Sequence, residues 1–173
     1  MKGKILSWAA VAAALAVVYV FAMPSYRQGE PSVAGRRAPD FALEMNGRAV
    51  QLADLQGKVV VLVFWASWCA PCVEETPALN ALERRIEANG GVVLGVSEDD
   101  DPAAYSKFLT EQRVVFPTYR DPTKKIASTY GTAAFPEAYI ISRDGKIARK
   151  IVGPQDWTSP ELTSTIDTLL HMS

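Results

Sequence analysis

The run "KVVVLVFWA", Lys58 to Ala66, constrains this chain more than any other stretch. After Lys58 it is continuously apolar and rich in β-branched residues, the pattern of a strand buried on both faces of a sheet. Such a strand needs helices packed on either side of it. The only two cysteines, Cys69 and Cys72, follow directly. From Ala70 to Ala88 the pattern turns helical, with Leu79, Leu82 and Ile86 at i, i+3 and i+7. A Cys-x-x-Cys therefore stands where a buried strand becomes a helix.

The flanking sequence supplies the remaining layers. In "DFALEMNGRAVQL", Asn46-Gly47 between alternating residues predicts a β-hairpin. Asn89-Gly90-Gly91 stops the first helix, and Val92 to Ser97 reads as a second buried strand. A helix is expected from about Pro102, a short extended piece in "VVFPTYRDP", and a short helix closed by Gly131. "EAYIIS" and "KIARKIV" flank Arg143-Asp144-Gly145 as an antiparallel hairpin. Ser159 and Pro160 open a final helix. The order β-β-β-α-β-α-(β)-α-β-β-α predicts an α/β fold, a mixed central sheet with helices on both faces.

Ahead of this domain, Lys2 and Lys4 precede an uncharged apolar run, Ile5 to Met23. Its length suits one bilayer crossing, and the leading lysines put the N-terminus in the cytoplasm. We expect residues 1–23 to be an uncleaved signal anchor, the alternative being a signal peptide cut after "VFA". No cysteine follows the run, which excludes a lipoprotein anchor. Residues 24–36, rich in Gly, Pro and Arg, read as a linker, and residues 37–173 as the folded domain. The expected location is the inner membrane, single-pass, with the domain on the periplasmic or extracytoplasmic side. Net charge is −1, so nothing in the composition suits nucleic acid.

Four chemistries are open to the cysteine pair. Zinc or copper needs more ligands than two thiols and His171 at the far end of the chain. A structural staple closing so short a loop removes little entropy from the unfolded chain. A redox pair explains the position as well as the spacing. A thiol at a helix start meets unpaired N–H groups and the positive end of the dipole, which favour thiolate. Cys69 would then be the nucleophile, and Cys72, one turn on, would resolve the mixed disulfide. "APDFAL" and "GKVVVLVFWA" also resemble peroxiredoxin-like chains, whose reactive thiol sits in Pro-x-x-x-Thr-x-x-Cys. The corresponding positions are Trp65 and Cys69 for Cys72, and Leu62 and Ala66 for Cys69, so neither cysteine fits.

"FWASWCAPC" followed by Pro77 resembles the active-site strand and helix of the thioredoxin superfamily. "LADLQGKVVVLVFWASWCAPCVEETPAL" and "FPEAYIISRDGKIARKIVGPQDW" resemble its membrane-tethered TlpA/ResA/CcmG branch. The resemblance implies a thioredoxin-like fold with an N-terminal β-hairpin extension and one preceding transmembrane helix. It implies a Cys69–Cys72 redox-active disulfide, and a cis Pro136 that faces the pair and offers backbone to a substrate. It implies a site-covering Trp68, although a plain core aromatic would fit too. Pro77 matches a helix-kinking proline. Glu137 matches the Pro-Glu of the CcmG type; the plainer expectation is an exposed strand residue. Val63 stands where ordinary thioredoxins carry a buried Asp, so Glu75 becomes the candidate for proton handling at Cys72. Glu74 and Glu75 also simply suit a first helical turn.

The implied function is a protein disulfide reductase acting as a monomer, for example in cytochrome c maturation on apocytochrome c. No cofactor and no metal are implied. A DsbD/CcdA-type membrane donor would re-reduce it. A disulfide oxidase or isomerase, and a non-catalytic adaptor on the same scaffold, remain the alternatives.

Overall fold

The apolar run becomes β3, the centre strand of a five-stranded sheet, in a computed structural model that describes residues 33–45 and 48–172. In chain order the elements are β1 (Ala42–Met45), β2 (Arg48–Gln51), β3 (Val59–Trp65), α1 (Ala70–Ile86), β4 (Gly91–Ser97) and α2 (Pro102–Glu111). There follow β5 (Thr118–Arg120), α3 (Lys125–Tyr130), β6 (Glu137–Ile141), β7 (Ile147–Val152) and α4 (Pro160–His171). The order of strands and helices is the expected one. The expected membrane segment and most of the expected linker lie outside the described residues, as does the Asn46-Gly47 turn. The hairpin itself is seen in the antiparallel register Leu43↔Val50. Among the described residues no helix is long and apolar enough to cross a membrane.

The main sheet runs β5-β4-β3-β6-β7. β4 pairs with β3 and β5 in parallel, while β6 pairs antiparallel with β3 and β7. Every residue of β3 is buried, and successive side chains go to opposite faces. Val60, Leu62 and Phe64 pack with Ile126, Ala127 and Tyr130 of α3 and with Leu43 and Leu52 from the hairpin region. Val59, Val61 and Val63 pack with Leu79, Leu82 and Ile86 of α1 and with Leu162, Ile166 and Leu170 of α4. Each such side chain contributes about 1.5–3 kcal/mol relative to exposure. An exposed ion pair such as Lys107–Glu111 contributes about 0–1 kcal/mol. The two apolar layers therefore hold the fold.

Helix ends follow local chemistry. The Asp101 carboxylate accepts the Ala103 N–H at 2.8 Å to start α2, and Ser159 caps α4 ahead of Pro160. Gly131, at φ 70°, ends α3 in the left-handed conformation that glycine adopts without penalty.

Residues 33–36, expected as the end of the linker, lie in the same compact unit as the sheet. The outer edge of β7 holds them. The Gly35 N–H donates to the Ile147 carbonyl at 2.7 Å, and the Ile147 N–H donates to that of Arg36 at 2.8 Å. An open sheet edge recruits backbone, whatever the composition of the segment that supplies it.

A third, smaller apolar cluster sits at the carboxyl end of β3. It joins Trp65, Ala66, Cys69, Cys72 and Phe108, with Tyr105, Val73 and Phe135 against it. The Trp65 ring stacks on Tyr105 at 5.8 Å and lies 4.5 Å from Phe108. Gly95 makes room for it, because a Cβ there would lie 2.8 Å from the Trp65 indole nitrogen.

Candidate active site

The strand ends at Trp65 and α1 begins at Ala70, leaving a short loop. Its close is a turn in which the Cys69 N–H donates to the Ala66 carbonyl at 3.1 Å. Cys69 is the residue that caps α1, in extended conformation, with Pro71 in the first turn. Its Sγ accepts the Cys72 N–H at 3.3 Å, so a sulfur performs the task that a Ser or Asp oxygen usually performs. The two cysteines form a disulfide, with Cα atoms 5.3 Å apart. Both are buried, at 5% and 3% exposure. One helical turn brings the pair together, as the spacing predicts.

Trp68 is 68% exposed beside them. Its ring meets that of Phe135 edge-on at 5.8 Å. This removes the core-aromatic alternative. Pro136 follows Phe135 through a cis peptide bond, as expected, and is buried. Its carbonyl accepts the Gly153 N–H at 2.9 Å, and a proline has no N–H to give. This bond extends the β6–β7 pairing one rung beyond Glu137↔Val152, and a carbonyl oxygen keeps a second lone pair. Pro77 lies inside α1, and its missing N–H leaves the Val73 carbonyl without its helical partner.

Glu75 is buried, three residues beyond Cys72 on the same helix. Its carboxylate accepts the Gln155 N–H. Burial pushes the carboxyl from 4.5 up to about 7, against the pull of the Gln155 N–H and of the nearby Trp157 indole. The Trp157 N–H lies outside hydrogen-bonding geometry and has no partner among the described residues. Glu74, by contrast, is exposed.

The raised pKa has a sign. Between about pH 4.5 and 7 the folded protein holds a proton that the unfolded chain releases. Stability from this group falls as pH rises through that window. Glu75→Gln is expected to be more stable than the native chain by on the order of 2 kcal/mol at pH 8, and about equal to it at pH 5. Urea unfolding at both pH values measures this. A difference that does not change with pH would show that the Glu75 carboxyl titrates as an ordinary one.

Glu137 is corrected. It is neither an exposed strand residue nor open to a substrate, being 3% exposed. Its Oε1 pairs with the Lys150 ammonium at 2.9 Å and accepts the Thr132 hydroxyl at 2.7 Å. The Tyr139 hydroxyl lies 2.7 Å from the same oxygen and 2.8 Å from the Tyr130 carbonyl, with one proton to share between them. Burial lowers the Lys150 pKa, but its bonds to Glu137 and Tyr139 and their charges raise it further, so it stays cationic. Adjacent to Pro136, Glu137 thus fixes the strand that presents the proline.

Three features of the site were not read from the sequence. Gln155 and Trp157 lie beside Glu75. Lys150 and Thr132 hold Glu137. Asp99 accepts two groups of Ser67 in the loop before Cys69. An acid inside "EDDD" gives no sequence signal for such a contact.

Residues 34–150 match the AhpC/TSA family. The chain belongs to the AhpC/TSA family. Within that family it is similar to the thiol-disulfide oxidoreductase ResA of Bacillus anthracis, at 34% identity over 70% of each chain. ResA of Bacillus subtilis (strain 168) is 31% identical over 72% of this chain and 71% of its own. A crystal structure from Chlorobium tepidum, provisionally named thiol:disulfide interchange protein DsbE, superposes with TM-score 0.75 at 34% identity. It covers 80% of this chain and 99% of that one. This AhpC/TSA member thus has the thioredoxin-like fold, and its Cys69–Cys72 pair makes it a thiol-disulfide oxidoreductase of the ResA and DsbE kind. The match contains every predicted site residue and stops before Gln155 and Trp157.

Proposed function

We propose that this oxidoreductase is an extracytoplasmic protein disulfide reductase, tethered by residues 1–23. The observation that carries the direction is Glu75, buried one turn beyond Cys72 with its carboxyl raised to about 7. A carboxylate beside a dithiol opposes thiolate formation. It thereby destabilises the reduced pair, which is what makes a pair give electrons away; strong oxidants instead stabilise their reduced form.

In this reading the Cys69 thiolate attacks one sulfur of a substrate disulfide, and the other leaves as a thiolate and takes a proton. Cys72 loses its proton to Glu75 and attacks the Cys69 sulfur. The second substrate thiol departs, and the enzyme keeps the disulfide seen here. The electrons came from the two thiols, so a dithiol donor must return two of them. A DsbD/CcdA-type membrane protein suits the compartment. Trp68 and Phe135 form the apolar contact for the substrate chain beside the disulfide. Pro136, cis and next to Phe135, offers the substrate backbone that the family resemblance implies. Apocytochrome c is a substrate of the right kind.

The midpoint potential tests the direction. A value near or below the roughly −270 mV of thioredoxin agrees with a reductase, while one near about −120 mV would make the protein an oxidase. Thiol titration tests Glu75. Glu75→Gln should lower the thiol pKa values, while Glu74→Gln, on the exposed side, should not. Equal shifts in the two variants would leave Glu75 no part in proton handling.

The tether rests on Lys2, Lys4 and the run from Ile5 to Met23. Cell fractionation should find the full-length mass in the membrane pellet. A soluble form beginning near Met23 would instead establish cleavage.

A further inference from the structure

The loop that delivers Cys69 is held from one side by a single buried acid. Asp99, just past the end of β4, is 1% exposed. Its Oδ1 and Oδ2 accept the Ser67 N–H at 3.1 and 3.0 Å, and Oδ1 also accepts the Ser67 hydroxyl at 2.7 Å. Its Oδ2 accepts the Ser97 hydroxyl at 2.7 Å. The acid is itself fixed, since its own N–H donates to Ser97 Oγ at 3.1 Å and its carbonyl accepts the Arg120 guanidinium at 3.2 Å. The Glu98 N–H continues the β3–β4 ladder by donating to the Trp65 carbonyl at 2.9 Å.

We propose that Asp99 is a positioning residue for the attacking thiol, acting through Ser67 on the turn that carries Trp68 and Cys69. A buried carboxylate is costly unless its oxygens are satisfied. Here they are satisfied by donors that include both polar groups of Ser67, and hydrogen bonds to an ionised acceptor are about twice as strong as neutral ones. Ser67 stands two residues before Cys69. Its anchorage fixes where the chain enters the helix, and hence where the Cys69 sulfur lies relative to the free N–H groups of the first turn. Those groups favour thiolate only when the sulfur is held over them. The same anchorage holds the Trp68 ring outward against Phe135.

This inference rests on Cys69 being the attacking thiol, as proposed above. The test uses the reduced full-length protein and reads the pH dependence of Cys69 alkylation, with peptide mapping to identify the modified thiol. Reduction of a protein disulfide at neutral pH is measured in parallel. Asp99→Ala is expected to move the alkylation curve to higher pH and to slow disulfide reduction about tenfold. Asp99→Asn keeps a carbonyl oxygen for both Ser67 donors and should recover most of the rate. Ser67→Ala leaves β4 intact and should shift the curve the same way by less, which supplies the readout should Asp99→Ala fail to fold. Native curves and rates in both Asp99→Ala and Ser67→Ala, whatever their melting temperatures, would overturn the positioning role. Mapping that finds Cys72 the faster thiol in the unsubstituted protein would instead overturn the assignment of Cys69.

Discussion

Cys69→Ser is expected to lose protein disulfide reduction by at least roughly three orders of magnitude, because no second thiol at the helix start can open the substrate disulfide. Cys72→Ser should fail differently. Its Cys69 still attacks, but nothing resolves the product, so the protein accumulates as a mixed disulfide with its substrate. Non-reducing gels separate the two outcomes: adducts with Cys72→Ser and none with Cys69→Ser. The geometry behind this asymmetry is local. Cys69 caps α1, whereas Cys72 is inside the first turn with its own N–H directed at the Cys69 sulfur. Adducts formed through Cys72 would reverse the roles.

Lys150→Met is the second large effect. It leaves the Glu137 carboxylate buried without its cation, which costs about 3–5 kcal/mol in such settings. Replacing both partners, Glu137→Gln with Lys150→Met, should restore much of the loss, because the desolvation of two charges disappears with the pair. Urea midpoints of the two single variants and the double variant measure the coupling. The contribution should be steady from pH 6 to 9. The Lys150 pKa is raised above its ordinary 10.5, so the pair's stabilisation is complete below that pH and is lost only as pH climbs through the raised value. A loss under about 1 kcal/mol would place the pair with ordinary surface ion pairs. Reduction should slow as well, since Glu137 follows Pro136 directly.

The layers of the fold were legible because they rest on local pattern. β3 is a continuous β-branched run, α1 repeats Leu79, Leu82 and Ile86 at helical spacing, and α4 opens on Ser159 and Pro160. The cysteine pair was legible because its chemistry depends on an address, the junction of strand and helix. The burial of Glu137 was not legible, because "PEAYII" does not show that Lys150 arrives opposite Tyr139 across the β6–β7 pairing. Asp99 was hidden for a related reason. A run of four acids reads as solvated, and only the end of the β3–β4 ladder decides which of them turns inward. Glu75 was a candidate from its place one turn beyond Cys72, but its burial depends on the segment around Gln155, which returns to the helix from far along the chain.

The cysteines belong to the small cluster at the strand end, apart from the two apolar layers that hold the sheet. Opening the disulfide therefore leaves both layers packed, and oxidised and reduced protein unfold from nearly the same core. Folding and redox equilibria then form a closed thermodynamic square. The gap between the two unfolding free energies equals the difference in disulfide stability between the native helix start and the unstructured chain, with ~1.4 kcal/mol corresponding to ~30 mV. Two denaturation curves, one for each oxidation state, thus give the protein's potential relative to its own unfolded Cys-x-x-Cys without an electrode.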